Sequence, residues 1–234
     1  MKEAISIPIF IGFDPRERAA TNVLIDSLYQ HSSTPLSITP LLTPQLEKQK
    51  IYYREKDPKQ STAFSFTRFL VPYLMGYENW AIFMDCDMLC RADITELWNQ
   101  RDNKYSIMCV KHEHILGEVK KFQGEVQSAY PKKNWSSLML MDCSKCKELT
   151  IDYVNKASGL ELHRFLWLKD DNLIGEINGN WNYLVGVQKE DDAFNSKLSH
   201  WTLGGPWFND QRTLGGASAA EWFASRDDAF KLWD

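Results

Sequence analysis

Two aspartates spaced two apart, Asp85 and Asp87, carry the most chemistry in this 234-residue chain. They close the segment Trp80–Asp87, WAIFMDCD, in which Ala81, Ile82, Phe83 and Met84 form an unbroken apolar run. Such a run is the pattern of a strand buried on both faces of a mostly parallel sheet. Side chains two apart on a strand leave from the same face, so both carboxylates emerge together at the strand's end, where open α/β sheets bind ligands. Paired carboxylates attract a hard divalent cation, and that cation in turn holds diphosphate oxygens. The chemistry expected is a metal-dependent reaction on a nucleotide-linked phosphate ester. Asp-x-Asp also arises by chance, and the plain alternative is a solvated turn at the strand's end.

Other residues can serve the same chemistry. Arg68 lies in Ser61–Leu74 (STAFSFTRFLVPYL), between Phe66, Phe69 and Leu70. A guanidinium among apolar residues needs a partner; it is either an ordinary ion pair or a fork for diphosphate or carboxylate. His200, in SHWTLGGPW, offers an imidazole, and Gly204-Gly205 offers a backbone that can approach phosphates closely. Asp170 and Asp171 are acidic residues after an apolar run. Asn134 and Ser136 suit sugar hydroxyls or a turn, and Trp181-Asn182 suits a sugar or plain packing. Asp14 is a helix cap or a nucleotide contact. His112-x-His114 has no third ligand nearby and reads as an exposed loop lining a cleft. Five cysteines, an odd number, suit reduced thiols; Cys143-x-x-Cys146 is half of a four-ligand zinc set.

The elements that position these residues follow in order. Ile5–Phe13 reads as a first strand, and Asp14-Pro15-Arg16-Glu17 as a capping box with Pro at the first helical position. The helix that follows runs to about Tyr29 and buries Ala20, Val23, Leu24 and Leu28. Ile38–Leu42 is a second strand, and Ser61–Leu74 a helix under the sheet with Pro72 as its late kink or end. Asp93 caps a short helix to Trp98. Tyr105–Val110 and Leu138–Met141 are further strands, and Glu221–Trp233 is a last helix. A strand followed by a capped helix opens an α/β domain. With 44% hydrophobic residues the chain can bury a large core. A net charge of −4 speaks against nucleic acid as a partner. No run approaches a transmembrane segment, and the N-terminus lacks a signal-type core, so a cytoplasmic protein is expected.

Taken together, FSFTRF, FMDCD, NWSSLMLM, KDDNLIG with its later WN, and HWTLGGPW resemble GT-A glycosyltransferases of the glycogenin and lipopolysaccharide galactosyltransferase-like group, bacterial members above all. The likeness runs over most of the chain. It implies a single α/β GT-A domain over residues 1–234: about 1–95 binding the nucleotide sugar, about 96–234 serving sugar and acceptor. It implies a nucleotide-diphospho-sugar donor, UDP-linked by default, and an acceptor that is a glycan, a lipid-linked group or a protein. Retention of configuration is implied too. The family's Asp-x-Asp and late His hold Mn²⁺, giving that role to Asp85, Asp87 and His200, with Arg68 on the donor and Asp170-Asp171 facing the transferred sugar. Two carboxylates with one imidazole favour Mn²⁺ over Mg²⁺. The late motif departs from the family's, because the Lys before Pro-Trp is missing. Gly204-Gly205 amides or Arg212 are its expected substitutes, and loss of turnover, leaving a nucleotide-sugar-binding protein, is the alternative. A phosphohydrolase of the haloacid dehalogenase type is a poorer match: its pair sits on the first strand with Thr or Val two residues later, whereas Leu89 stands here.

Overall fold

A computed structural model describes residues 5–55, 60–113 and 132–231. Among the described residues, nine strands form two sheets. The larger is built from β1 (Ile7–Gly12), β2 (Leu36–Leu41), β3 (Trp80–Met84), β5 (Ile107–Cys109), β6 (Leu138–Asp142) and β7 (Ile174–Glu176), in the order β2-β1-β3-β6-β5-β7. β6 runs against both its neighbours while every other pairing is parallel, so the sheet is mostly parallel as expected. The smaller sheet joins β4 (Met88–Cys90), β8 (Tyr183–Leu184) and β9 (Leu198–His200) in the order β4-β9-β8. This mixed α/β arrangement matches the expected fold class.

Sequence pattern explains the main elements. Every residue of β3 is buried, as its apolar run requires. Helix α1 (Arg18–His31) buries Ala20, Val23, Leu24 and Leu28, one face at helical spacing. Asp93 caps the helix Ile94–Trp98, its carboxylate accepting from Thr95 N–H at 2.9 Å. A C-terminal helix spans Ala217–Ala229. Among the described residues no helix is long and apolar enough to cross a membrane.

Two local expectations are corrected. Ser61–Leu74 is not one helix: Thr67–Leu70 is a 3₁₀ turn and Val71–Leu74 a single α turn. Pro72 stands at the start of that turn, where a missing N–H costs nothing. Phe64, Phe66 and Phe69 are all buried, so this segment folds to deliver aromatic rings rather than to extend a helix. Phe64 packs so closely on Gly12 that a Cβ there would lie 2.2 Å from its ring. Nor does the capping box form. Asp14 caps only the 3₁₀ turn Pro15–Glu17, and Glu17 instead accepts from the Cys86 thiol at 3.4 Å.

Candidate active site

The ends of β3 and β9 bring three ligating groups together. β3 stops at Met84, and Asp85 N–H donates to Ser137 O at 2.9 Å, the turn that feeds β6. The chain then enters β4, which pairs with β9 so that Met88 lies opposite His200, and Trp201 N–H donates to Asp87 O. His200 Nε2 is consequently 3.3 Å from Asp87 Oδ1 and 4.0 Å from Asp85 Oδ2. One ligating atom from each of the three residues lies within 4.8 Å of the others. Asp87 is 8% exposed, His200 1%.

Whether these residues fit a divalent cation is tested by their own hydrogen bonding. Asp87 Oδ1 is buried and accepts no hydrogen bond. Orphaned acceptors of that kind are rare in folded proteins because each forfeits its hydration. A cation between two carboxylates and a neutral imidazole removes the deficit, and the oxygen-rich donor set suits Mn²⁺ or Mg²⁺. The residues fit.

Arg68 approaches from the 3₁₀ turn below. It is 5% exposed, and its Nη1 lies 2.9 Å from Asp85 Oδ1 and donates to Ser136 O at 2.8 Å. Its guanidinium carbon sits 5.0 Å from the Phe83 ring centroid and 5.3 Å from that of Phe64. Arg68 thus forms an ion pair with one carboxylate of the aspartate pair, made through Nη1 while its Nε has no partner among the described residues. Ser136 Oγ faces His163 Nδ1 at 2.8 Å. The turn Trp135–Ser137 is a hub on which Arg68, Asp85 and His163 all converge.

A cavity of about 430 Å³ lies beside this turn, lined among others by Lys111, His112, Asn134, Glu176 and Thr202. Thr202 donates to Asn134 Oδ1 at 3.4 Å, tying the cavity wall to the chain just beyond His200. His112 is not the exposed loop residue expected. Its Nε2 is buried without a partner, and burial, with the nearby His200 second, pushes its pKa down to about 4. His114 lies outside the described residues.

The family model for glycosyl transferase family 8 matches residues 19–148. The chain belongs to glycosyl transferase family 8. Protein CDI of Arabidopsis thaliana is 47% identical over 206 residues, covering 86% of this chain and 79% of that one. Among solved structures, the glycosyltransferase GlyE of Streptococcus pneumoniae TIGR4 aligns with a TM-score of 0.63 at 15% identity, over 99% of this chain and 61% of its own. The galactosyltransferase LgtC, solved with donor and acceptor sugar analogs, aligns with a TM-score of 0.58 at 12% identity, over 97% of this chain and 98% of its own. This chain therefore spans less than two thirds of GlyE and nearly all of LgtC. The shared architecture is the GT-A fold, and membership in family 8 makes this a nucleotide-sugar glycosyltransferase.

Within this family-8 domain, several residues singled out from the sequence stand elsewhere than expected. Asp14 is 2% exposed and its carboxylate accepts from Arg16 N–H, Arg16 Nε and Nη2, and Ala63 N–H, at 2.8–3.1 Å. Burial alone would raise its pKa, but those hydrogen bonds hold it below the ordinary value. Asp14 is a clamp between β1 and residue 63, with its lone pairs already used, which bears out its reading as a cap. Trp181 is 1% exposed, a core residue rather than a stacking platform for sugar. Asn182 is 0% exposed and hydrogen-bonds His200 and Ser137, so it reaches no sugar. Ser136 is 4% exposed and engaged as described. Gly204 has φ +98°, and a Cβ on Gly205 would lie 2.3 Å from the Trp207 ring, so both glycines are demanded by the turn itself. Arg212 donates to Asn209 Oδ1 at 3.0 Å.

Asp170 and Asp171 are exposed. Asp170 caps a 3₁₀ turn by accepting from Asn172 N–H, and Asp171 pairs with Lys132 at 2.6 Å. Lys132 also donates to Arg164 O, next to His163. The Cys143-x-x-Cys146 thiols donate to backbone carbonyls, and burial pushes Cys143 up to about 12. Those are the properties of inert core thiols. Ser137, Thr202 and His163 were not singled out. No local signal marks them: Thr202 lies in the turn after β9, and all three act through long-range contacts.

Proposed function

We propose that this family-8 glycosyltransferase moves a sugar, with retention, from a UDP-sugar to an acceptor, holding Mn²⁺, or Mg²⁺ in its place, between Asp85, Asp87 and His200. The observation that carries the reading is the buried Asp87 Oδ1 that accepts no hydrogen bond and faces His200 Nε2 at 3.3 Å. When bound, a divalent ion supplies Lewis-acid neutralisation of the charge that builds on the departing diphosphate. The chain's own residues supply the rest. Arg68 holds Asp85 in register and places a cation beside the diphosphate. The Gly204–Gly205 backbone stands where the family carries a Lys. Asp171, or Asp170, offers a carboxylate to the positive charge that develops on the sugar. Asn134 and the adjoining cavity receive sugar and acceptor, a glycan, lipid-linked group or protein. In this assignment residues to about 95 serve the nucleotide, and those beyond serve sugar and acceptor, with His200 crossing over to the metal.

The test is thermal stability of the purified protein with UDP, GDP and their sugars, each with Mn²⁺ or EDTA. Ligand at a hundredfold over Kd adds about 2.7 kcal/mol, a rise of about 5–10 °C for a domain of this size. A Mn²⁺-dependent rise with UDP ligands supports the donor assignment. No rise with any nucleotide reduces the aspartate pair to a turn. The missing Lys favours one second reading, a nucleotide-sugar-binding protein without turnover, which gives the same rise but no release of sugar.

A further inference from the structure

We propose that Asn182 is a positioning residue that dictates which nitrogen of His200 carries the proton, and that the choice originates in the backbone carbonyl of Asn134. Four groups lie in a row. Ser137 Oγ is 2.6 Å from Asn134 O, the Asn182 side-chain amide is 2.9 Å from Ser137 Oγ, and His200 Nδ1 is 2.9 Å from the same amide. A carbonyl oxygen only accepts, so the single hydroxyl hydrogen of Ser137 goes to Asn134 O. Ser137 Oγ is then left to accept from its other neighbour. Asn182 must therefore present Nδ2 to Ser137 and Oδ1 to His200, which settles the orientation of the amide by its partners. Oδ1 only accepts, so Nδ1 of His200 carries the hydrogen. A neutral imidazole has one N–H. Nε2 consequently presents a lone pair towards Asp87 Oδ1 at 3.3 Å and Asp85 Oδ2 at 4.0 Å.

The opposite polarity fails at both ends. A flipped amide sets two oxygens 2.9 Å apart at Ser137 with no hydrogen between them. An Nε2–H imidazole sets its Nδ1 lone pair against Asn182 Oδ1 at 2.9 Å with no hydrogen between them. Ser137, Asn182 and His200 are 3%, 0% and 1% exposed, so water offers no substitute partner. Ser137 anchors both sides of the group: its carbonyl accepts from Asp85 N–H and its hydroxyl sets the polarity at His200. Partners of this kind behind a ligating imidazole fix its tautomer and its basicity. The use of that lone pair for a metal rests on the proposed function above; the polarity itself does not.

Long-range ¹H–¹⁵N correlation spectra of the full, metal-free chain with ¹⁵N-labelled histidine test the tautomer. Titration of Mn²⁺ alone, without nucleotide, tests its consequence. Wild type is expected to show His200 as the Nδ1–H form. Asn182→Leu should gain the Nε2–H form and lose about 10–100-fold in Mn²⁺ affinity. Asn182→Asp restores an acceptor to Nδ1–H, with the Ser137 hydroxyl turning from Asn134 O to the second carboxylate oxygen, and should recover the tautomer. Should Asn182→Leu not fold, Ser137→Ala leaves the amide in place but frees its orientation, and should produce the same drift in smaller degree. An Nε2–H tautomer in wild type, or variants with unchanged tautomer and unchanged Mn²⁺ affinity, overturns the proposal. An Nδ1–H tautomer in a wild type that binds no Mn²⁺ upholds the positioning role and removes the metal reading instead.

Discussion

Two buried aspartates stand at the ends of neighbouring parallel strands and differ in one respect. Asp14, beyond β1, accepts from three groups of Arg16 and from Ala63 N–H. Asp87, beyond β3, buries an oxygen that accepts from nothing and faces an imidazole. Burial of the two is similar, and their strands lie side by side through Ile11 and Met84. The difference separates a carboxylate that holds the fold from one that the fold holds ready. A saturated acceptor has nothing left to offer a ligand, whereas an orphaned one costs stability until a ligand arrives.

The comparison breaks most decisively at Asp87. Asp87→Asn should lower Mn²⁺-dependent UDP binding by more than about 100-fold, beyond what outer-shell changes cost, while the protein melts no lower than wild type. Calorimetric titration with unchanged affinity would return Asp87 to the same class as Asp14. Next in size is Arg68, itself buried, whose pairing with the partly buried Asp85 is removed by Arg68→Ala. Breaking such a pair costs about 3–5 kcal/mol, read from urea denaturation, and UDP should weaken more than uridine. Equal losses for the two ligands would make Arg68 purely structural. The smallest effect belongs to Asp14→Ala, about 1–2 kcal/mol at pH 7 for a lost cap. Since folding holds the Asp14 pKa below its ordinary 3.8, the stabilisation is complete above that pH and disappears as pH falls through the lower folded value. The gap between variant and wild type should therefore narrow below about pH 3.8. Mn²⁺-dependent UDP binding should be unchanged; a loss there would put Asp14 in the site after all.

Much of this was legible in the sequence, and what was not has a common cause. β3 and its aspartate pair could be read because an apolar run with an abrupt acidic end is a local signal. Asp93 could be read as a cap for the same reason. His200 could be read from its own segment only as an imidazole beside paired glycines; its place with the aspartate pair came through the likeness to a family, since β4 and β9 are three residues each and lie far apart in the sequence. Asp14 was indistinguishable from a ligand-binding residue because saturation depends on Ala63, far along the sequence. Trp181 and Asn182 have a composition that suits sugar equally well, and only burial shows that one is core and the other a bracket for His200. Ser61–Leu74 misled because its apolar residues suit a helix but are placed by the core contacts they make.

The reversed strand of the larger sheet, β6, has a bearing on how the molecule is made. Because it runs backwards, its first residues, not its last, lie at the edge where β3 ends, and Ser137 meets Asp85 there. His200 arrives later still in synthesis. A chain growing from its N-terminus can pair β1, β2 and β3 with one another, yet the three ligating groups are not assembled until the stretch containing β9 has been added. Contacts between residues so distant in sequence form late. Asp85, Asp87 and His200 therefore come within reach of one another only once β9 has paired with β4.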